Sequence, residues 1–510
     1  MSFATTLWMR ETQAEPNRTF HRSLVVVGAL VVVLILTPAL VHLIFYPAYA
    51  GADDAFIHVA VAEHILRGDG WGIISHDRVN LSSSPFFTIL LLAVLPIGSI
   101  GLAEILSLVF ACVALAITFF TTRRITASTM CGLAALVVAA ANAHLWRWSG
   151  TVMETALAYL SVTLIATATL RLMQARDSSV WNSALFGALI ALGTLVRFEI
   201  GLLLPLSIVA LWFSRHSGVR QIAAIVGGFV VVFLPWIVFA TAYFGTPIPT
   251  TFLAKANTLQ IVNPLITKQI CTVVAVGFGV SILIAAIAIV IARRSVEGRT
   301  KLRGYAIPLL YLLAWPTALF AYYYIDTLGL QGGARQFLPG MATWPIAVGL
   351  ILSTVPRNPR YRPWLATGLV GCMAVGLVFN MIYVRPVLAS YKDGYLRTMT
   401  RGAEYLRENC KPGDVALLYV DIGIMARDGI GHCTLVDGGA LATPALNGMT
   451  LAELLSHVKP TYLVQNQGRS RNELAVDYPN LKLAMFESYA AQAVTSDLPT
   501  LYLNIYRVKT

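Results

Sequence analysis

The feature that most constrains this chain is a series of apolar runs, most of them near the length that a helix needs to cross a bilayer. A spanning helix takes about 20 apolar residues. The first run is too long for the core of a signal peptide and lacks a small-residue cleavage site, so we expect it to stay as a helix. The sequence therefore predicts a polytopic all-α membrane protein with about eleven transmembrane helices. The runs are 23–46, 102–121, 128–146, 151–170, 180–196, 198–213, 221–243, 269–292, 305–325, 337–355 and 364–384.

Composition excludes a soluble enzyme of ordinary type. Of the 510 residues, 57% are hydrophobic and only 12% are charged, whereas soluble domains approach half apolar and a quarter charged. The formal net charge of +12 would suggest a nucleic-acid partner in a soluble protein. Here the basic residues collect in short loops between apolar runs, so we expect no nucleic-acid partner.

Every second loop is basic, which is the distribution that cytoplasmic loops show. The acids in these segments are only Glu11, Glu15, Asp177 and Glu297. We therefore place these loops and residues 1–22 in the cytoplasm, and the odd number of spans then places the C-terminus outside. The basic residues are Arg10, Arg18, Arg22, Arg123, Arg124, Arg171, Arg176, Arg215, Arg220, Arg293, Arg294, Arg299, Lys301, Arg303, Arg357, Arg360 and Arg362.

Two apolar stretches are too short to be ordinary spans. The run 85–97 has about 13 residues, and we interpret it as an interfacial or re-entrant helix on the outer face. The runs 180–196 and 198–213 form a pair of short helices with Arg197-Phe198-Glu199 at the tip. Two helices this short would leave the tip below the outer surface of the membrane, where charged side chains are tolerated only against a water-filled cavity.

From about residue 386 the composition changes to a mixed polar pattern. It predicts a small extracytoplasmic α/β domain over 386–510, with a helix at 393–409 and strands at 415–420, 461–465 and 501–508. Cys410 and Cys433 both fall in this exported region, where oxidation is permitted. Spacing alone leaves open whether they form a disulfide.

Asp53 and Asp54 are the strongest local signal for chemistry. Two adjacent acids beside a bilayer raise each other's pKa and are costly unless a cation binds there. The alternative is a solvated loop or a helix N-terminus, where acids are favoured. His58 lies one helical turn beyond Asp54, within reach of a hydrogen bond, although an ordinary surface histidine is the simpler interpretation.

Cations on the predicted outer face are few, and three of them lie in distinctive segments. Arg335 follows Gln331-Gly332-Gly333-Ala334, a loop able to bring backbone N–H groups to an anion; the alternative is an arginine snorkelling to the interface. Lys255 ends the segment 245–255 and has the alternative of a solvated loop lysine. Arg197 and Glu199 have the alternative of pairing only with each other.

Two further features near these cations have simple alternatives. Glu154 lies where a span begins, so capping that helix is sufficient reason for its presence. Trp146, Trp148, Tyr322, Tyr323 and Tyr324 lie at the predicted outer ends of spans. A lipid-interface belt is the default for such aromatic residues, with stacking on a sugar as the alternative.

These residues occur in an order that resembles a known family. The strings are GADDAFIHVAVAEHILRGDGW, NLSSSPFFTILLLAVLP, VMETAL, LVRFEIGLLLP, YFGTPIPTTFLAK, ARQFLP and, in the tail, DIGIMAR followed by TLVDGGAL. Together they resemble the GT-C glycosyltransferases that use lipid-linked sugars. The similarity is to the branch with the mycobacterial terminal β-arabinofuranosyltransferase and the pseudomonad pilin arabinosyltransferases, and it runs through essentially the whole chain.

The resemblance implies a GT-C transmembrane domain over 23–385, with the catalytic acids in the outer loop 47–101, in a bacterial inner membrane. It implies Asp53 as the catalytic base and Asp54 as its support. Arg197, Lys255 and Arg335 are then the candidates to hold the donor phosphate. The remaining candidates for contact with substrate are Glu199, Glu154, His58 and Tyr324.

The implied reaction is an inverting transfer from a polyprenyl-phosphate sugar to a hydroxyl of a glycan or exported protein. The best match for the sugar is D-arabinofuranose, and mannose or another hexose is the nearest rival. No cofactor is implied, although paired carboxylates leave a divalent ion open. From other classes, a lipid-linked sugar transporter would be expected to show broken helices in two halves, and a scaffold leaves the paired charges without purpose.

Overall fold

We describe the protein from a computed structural model, which is mostly helical with a small C-terminal sheet. The structure describes residues 18–46, 53–74, 78–175, 179–214, 218–251, 264–325, 334–356, 358–428, 432–466, 474–490 and 500–509. Side chains are described in all of these ranges except at residues 18–24, 264–270, 324–325, 334, 362, 475–476, 489–490 and 500–501.

The helices of the apolar part follow the predicted runs. Short 3₁₀ turns at Phe198–Leu202 and Leu338–Thr343 and π-helical turns at Asn380–Val384 and Tyr391–Leu396 join some of them. The helices are α1 (Arg18–Ile35), α2 (Thr37–Phe45), α3 (Asp53–Arg67), α4 (Pro85–Val94), α5 (Ile100–Thr126), α6 (Thr129–Ala140), α7 (Ala143–Ser149), α8 (Thr155–Gln174), α9 (Val180–Val196), α10 (Leu203–Phe213), α11 (Val219–Phe244), α12 (Pro264–Arg293), α13 (Val296–Gly304), α14 (Ala306–Ile325), α15 (Ala334–Phe337), α16 (Trp344–Ser353), α17 (Arg362–Phe379), α18 (Arg385–Ser390) and α19 (Arg397–Asn409).

The polytopic membrane architecture is confirmed. Among the described residues, seven helices are long and apolar enough to cross a membrane, or nine when each of two bent pairs forms one span. The bent pairs are α1 with α2, at 54°, and α6 with α7, at 64°. The short apolar helices Val180–Val196 and Phe198–Phe213 account for the other two predicted runs. Helix α4 has 10 residues and is therefore about 15 Å long, half of a typical hydrocarbon core.

A fully buried core holds these helices together. Leu115 of α5, Tyr159 of α8, Ile190 of α9 and Trp315 of α14 all lie in one cluster with no exposed surface. Many other apolar side chains are exposed, such as Val231 at 72%. Exposed apolar surface of this kind is expected where lipid, not water, covers the helices.

The C-terminal region folds into a five-stranded sheet in the order β2-β1-β3-β5-β4. β1 pairs in parallel with β2 and β3, while β5 is antiparallel to both β3 and β4. Three strands match the predicted ones, whereas β2 and β4 were not predicted. Cys410 and Cys433 form a disulfide. The elements are β1 (Val415–Tyr419), α20 (Ile422–Asp428), β2 (Thr434–Asp437), α21 (Leu451–Val458), β3 (Tyr462–Gln465), α22 (Leu474–Asp477), β4 (Leu481–Ala490) and β5 (Thr500–Val508).

The sheet domain packs directly on helix α3. Phe56 and Ile57 of α3 share one buried cluster with Ile422 and Met425 of α20. Arg427 of α20 forms a salt bridge with Glu63, with Nε 3.2 Å from Oε1. The helix that begins with the two adjacent acids is therefore held between the apolar bundle and the C-terminal domain.

Candidate active site

One cavity brings together side chains from four distant parts of the chain. Its charged lining residues are Asp54 of α3, Glu154 before α8, Arg197 and Glu199 after α9, and Arg335 of α15. All five were named from the sequence as candidate site residues. The other lining residues are Ile57, His58, Leu81, Ser83, Met153, Phe198, Pro249, Thr251, Tyr322, Tyr323 and Gln336.

Asp54 and Arg335 form an ion pair at this cavity, from Nη2 of Arg335 to Oδ2 of Asp54. The side chain of Asp54 is 41% exposed and that of Arg335 only 9%. The Arg335 Nε is buried and makes no hydrogen bond to any residue that the structure describes. A buried donor of this kind is costly unless a ligand or water satisfies it, so Arg335 has capacity for an anion.

Arg197 differs from Arg335 because each of its guanidinium nitrogens has a protein partner. Nε lies 2.5 Å from Glu199, Nη1 lies 2.8 Å from Glu154, and Nη2 donates to the Tyr323 hydroxyl at 2.8 Å. The Tyr323 hydroxyl in turn donates to Glu199 at 2.5 Å. Arg197 therefore pairs with Glu199, as the simple alternative held, but it also joins two further elements of the cavity wall.

Glu154 and His58 lie in contact with each other in the cavity lining. Glu154 caps no backbone N–H of α8; its Oε2 lies 3.4 Å from His58 Nε2 and its Oε1 accepts from Arg197. Burial opposes its charge, yet the neighbouring His58, Arg197 and Arg335 together hold the pKa of Glu154 below its usual range. Two interpretations of His58 were wrong: it is 2% exposed, and its Nδ1 lies 3.2 Å from Ser82 Oγ, not against Asp54.

The structure places Asp53 differently from the predicted catalytic position. Its carboxylate does not line the cavity; it accepts from the backbone N–H groups of Gly423 and Ile424, at 2.9 and 3.0 Å. Burial raises the pKa of Asp53 well above its usual range, the nearby Asp421 adds to the increase, and the two backbone donors oppose it. Asp53 thus ties the first turn of α3 to the first turn of α20.

Asp421 is a charged neighbour that the sequence analysis did not identify as a site residue. It accepts a hydrogen bond of 2.5 Å from the Tyr395 hydroxyl. Burial raises the pKa of Asp421, and the charge on Asp54 acts in the same direction. The C-terminal domain therefore brings a third carboxyl group close to the adjacent pair in α3. In the sequence, this segment stood out only as part of the DIGIMAR string of the family resemblance.

The remaining predicted residues have mixed outcomes. Lys255 lies outside the described residues, four positions beyond Thr251, which lines the cavity. The side chain of Tyr324 is also outside the described part of the chain. Its neighbours Tyr322 and Tyr323 line the cavity, so they are not simply a lipid-interface belt. Trp146 is fully buried and donates from Nε1 to the Ala140 carbonyl, which removes it from such a belt.

No group of three or more His, Cys, Asp or Glu residues in the described ranges is arranged to hold a metal ion. Comparison of the sequence with protein-family models and with curated proteins finds no match. The fold, in contrast, has clear neighbours among solved structures. ArnT from Cupriavidus metallidurans bound to undecaprenyl phosphate aligns with a TM-score of 0.61 at 13% identity, covering 94% of this chain and 97% of that one. The chain has the GT-C fold.

A second neighbour of the same fold is the archaeal oligosaccharyltransferase AglB from Archaeoglobus fulgidus in complex with an inhibitory peptide and a dolichol-phosphate. It aligns with a TM-score of 0.54 at 12% identity, covering 86% of this chain and 69% of that one. The apo form of ArnT aligns at 14% identity over 95% of this chain. Coverage of 94% and 95% of this chain by the two forms of ArnT means that this likeness includes most of the C-terminal domain as well as the helical bundle.

Proposed function

We propose that this protein is a membrane glycosyltransferase that moves a sugar from a polyprenyl-phosphate donor to an acceptor hydroxyl. The observation that carries the proposal is the pair of Asp54 and Arg335 at one cavity of a GT-C fold. A base and an anion-binding cation in contact are the two groups that this transfer needs. The two neighbours support the donor class, since their structures contain undecaprenyl phosphate and a dolichol-phosphate.

In the proposed step, Asp54 accepts the proton from the acceptor hydroxyl. The acceptor oxygen then bonds to the anomeric carbon, and the bond from that carbon to the phosphate oxygen breaks. The electron pair leaves with the lipid phosphate, whose negative charge is met by Arg335. We assign this base role to Asp54 in place of Asp53, because Asp54 lines the cavity and Asp53 is engaged by two backbone donors.

Charge balance in the cavity decides which cations serve the phosphate. Among the described residues, the lining carries three carboxylates, Asp54, Glu154 and Glu199, against the two arginines, so a dianionic phosphate needs further positive charge. Arg197 is committed to its carboxylates. We therefore propose Arg335 as the principal donor-phosphate contact and Lys255 as the second. Arginine and lysine can meet phosphate without a metal ion, so the proposal assigns no cofactor.

The stereochemical proposal is inversion. A covalent glycosyl intermediate needs a second, free carboxylate as nucleophile. Glu154 lines the cavity, but its side chain is only 4% exposed and is paired with Arg197 and His58. Among the described carboxylates, Asp54 alone has both exposure and a place in the cavity, which supports a single displacement with one base; Asp326, the other candidate nucleophile, lies outside the described residues.

For the sugar we propose D-arabinofuranose, on the resemblance of the sequence motifs alone, with mannose as the nearest rival. The proposed acceptor is a hydroxyl of a glycan or an exported protein, reached from the extracytoplasmic side of a bacterial inner membrane. A donor screen with arabinofuranosyl, mannosyl and glucosyl polyprenyl phosphates separates these sugars. NMR of the product then decides the stereochemistry, since retention of the anomeric configuration would contradict inversion.

The experiment that tests the function is transfer from these donors by the purified protein in detergent. We expect Asp54→Asn to lower the rate by a factor of about 10² to 10⁴, the usual contribution of a positioned base. Asp69→Asn is the matched control, because Asp69 is an exposed acid paired with Arg67 just beyond the same helix. Equal rates for the two variants would exclude Asp54 as the base, and no transfer by the unaltered protein would exclude the function.

A further inference from the structure

A second polar cluster lies beside the candidate active site and outside its lining. It is built where the end of α2, helix α7 and the start of α18 pack together. Tyr46, Trp146 and Val384 share one buried apolar cluster there. Two arginines, Arg147 of α7 and Arg385 of α18, emerge from this packing.

These two arginines have no carboxylate partner among the described residues, unlike both arginines of the cavity. Their recorded contacts are with aromatic rings: Arg147 lies 4.6 Å from the Trp148 ring centroid and Arg385 lies 5.9 Å from that of Phe45. The segment 47–52 that follows α2 contains no acidic side chain. Within the described residues, therefore, no carboxylate neutralises either of these two positive charges beside the cluster.

Buried polar atoms in the same cluster also lack partners. The Tyr46 side chain is almost fully buried, at 4% exposure, and its hydroxyl has no hydrogen-bond partner within the described structure. The Nε of Arg147 is likewise buried and unsatisfied. Unsatisfied buried donors of this kind favour an anionic ligand.

The surroundings of the cluster indicate a lipid and not a soluble anion. Leu43 and Ile44 near the end of α2 are 70% and 67% exposed, and Ile382 just before α18 is 74% exposed. Large apolar side chains exposed to this degree on a spanning bundle face acyl chains. An anion that binds at these arginines would therefore carry a hydrocarbon chain lying against these residues.

The cluster is connected to the cavity through one side chain. The guanidinium of Arg147 lies 4.6 Å from the centroid of the Trp148 ring, and the guanidinium of Arg335 lies 5.8 Å from the same centroid. Arg335 in turn pairs with Asp54. A phosphate at Arg147 would be one indole ring away from the proposed donor-phosphate contact, which is a suitable place for a lipid phosphate entering or leaving the cavity.

We propose that Arg147, Arg385 and the Tyr46 hydroxyl form a second binding site, for the phosphate group of a polyprenyl phosphate. The identity of this lipid rests on the proposed function, since polyprenyl phosphate is the product that sugar transfer releases. The site holds the lipid outside the reaction cavity, with its chain along the apolar surface of α2 and the helix before α18.

Native mass spectrometry of the purified protein with added undecaprenyl phosphate tests this site without requiring turnover. We expect the unaltered protein to bind two lipids. Arg385→Gln and Arg147→Gln should each weaken one of the two by about tenfold or more, as for a lost charge-assisted contact. Arg385 is exposed, so its variant carries little risk to folding. Arg335→Gln should weaken the other lipid.

Arg78→Gln is the matched control, because Arg78 is another exposed arginine over an aromatic ring, 4.8 Å from the Tyr243 centroid, away from the cluster. Unchanged binding of both lipids in the Arg147 and Arg385 variants would overturn the proposal. Equal displacement by phosphatidylglycerol would show an unspecific interfacial site and overturn the polyprenyl assignment. Displacement by inorganic phosphate at equal concentration would overturn the lipid assignment. Failure of sugar transfer would remove the proposed function and leave these binding results unaffected.

Discussion

Arg197 and Arg335 show how two residues of one type acquire different capacities from their partners. Both line the cavity, and both are mostly buried. Arg197 is held between Glu154 and Glu199, so a phosphate would have to displace a carboxylate to reach it. Within the described part of the chain, Arg335 has a single carboxylate partner, and its buried Nε has no hydrogen-bond partner. The free energy of binding an added anion should therefore depend mainly on Arg335.

The first prediction concerns that arginine. Arg335→Ala should reduce donor use by about tenfold or more, because a hydrogen bond to a charged group contributes roughly 1.5–3 kcal/mol. Arg335→Lys should recover only part of the loss, since an ammonium group cannot make the same planar contacts. Steady-state rates at varied donor concentration measure the effect. Arg67→Gln, an exposed arginine paired with Asp69, is the control, and equal donor use by the Ala and control variants would contradict the assignment.

The two adjacent acids were predictable as a pair, but not their separate roles. Neighbouring residues of a helix point about 100° apart, so Asp53 and Asp54 necessarily face different surroundings once α3 is packed. The sequence gives no indication of which face the C-terminal domain covers. That depends on the contact of Gly423 and Ile424 with Asp53, which lie 370 and 371 positions away in the chain.

At the scale of elements, the contact between α3 and α20 controls where Asp54 is held. Gly423 makes this contact possible: a Cβ there would lie 2.4 Å from the Asp53 carbonyl oxygen and 2.9 Å from the Ile57 nitrogen. Backbone atoms cannot move aside as the end of a flexible side chain can. The close approach of the two helices therefore requires glycine at this position.

We predict that Gly423→Ala separates the two helices and lowers both stability and transfer. Overpacking of this kind typically costs about 1–3 kcal/mol, and the loss of activity should appear in kcat because Asp54 is displaced. Thermal unfolding in detergent and steady-state kinetics measure the two effects. Gly227→Ala is the matched control, since a Cβ at Gly227 in α11 meets nothing within 4 Å. Identical behaviour of the two variants would show that the contact is not needed.

The carboxyl groups at this contact predict a dependence of stability on pH. Burial raises the pKa of both Asp53 and Asp421, so the folded state binds these protons more tightly than the unfolded state. The free energy of unfolding should therefore fall as pH rises from about 4 through the raised folded values. Asp421→Asn keeps a neutral side chain and should flatten this dependence. Thermal unfolding midpoints measured between pH 5 and pH 8 test this prediction. We expect the midpoint of the unaltered protein to fall by a few degrees, as an order of magnitude, over this range. Parallel curves for the variant and the unaltered protein would contradict it.

The elements themselves were predictable to different degrees. Helices of the bundle follow from apolar runs of bilayer length, and three strands follow from short runs rich in β-branched and aromatic residues. β2 has only four residues, Thr434–Asp437. It pairs with β1, which lies earlier in the chain, and no local sequence pattern reveals that pairing. β4 alternates weakly in Leu481–Ala490 and is fixed by its pairing with β5, so its formation depends on the partner strand.

At the scale of the whole molecule, the number and order of the spans determine on which side of the membrane the candidate active site lies. The eleven predicted runs are all helical in the structure. The number of runs was accessible from hydropathy because the bilayer fixes helix length. The meeting of Asp54, Glu154, Arg197 and Arg335 at one cavity depends on how distant helices pack, which hydropathy does not reveal.

The last prediction concerns sidedness. Basic residues in alternate loops place the N-terminus inside, and eleven spans then place residues from about 386 outside. The disulfide between Cys410 and Cys433 agrees with an oxidising outer compartment. A reporter that fluoresces only in the cytoplasm should therefore be dark when fused at Thr510, whereas the same reporter after a truncation at Arg303 should be bright. Fluorescence from both fusions would mean an even number of spans before the C-terminal domain, and would place that domain in the cytoplasm.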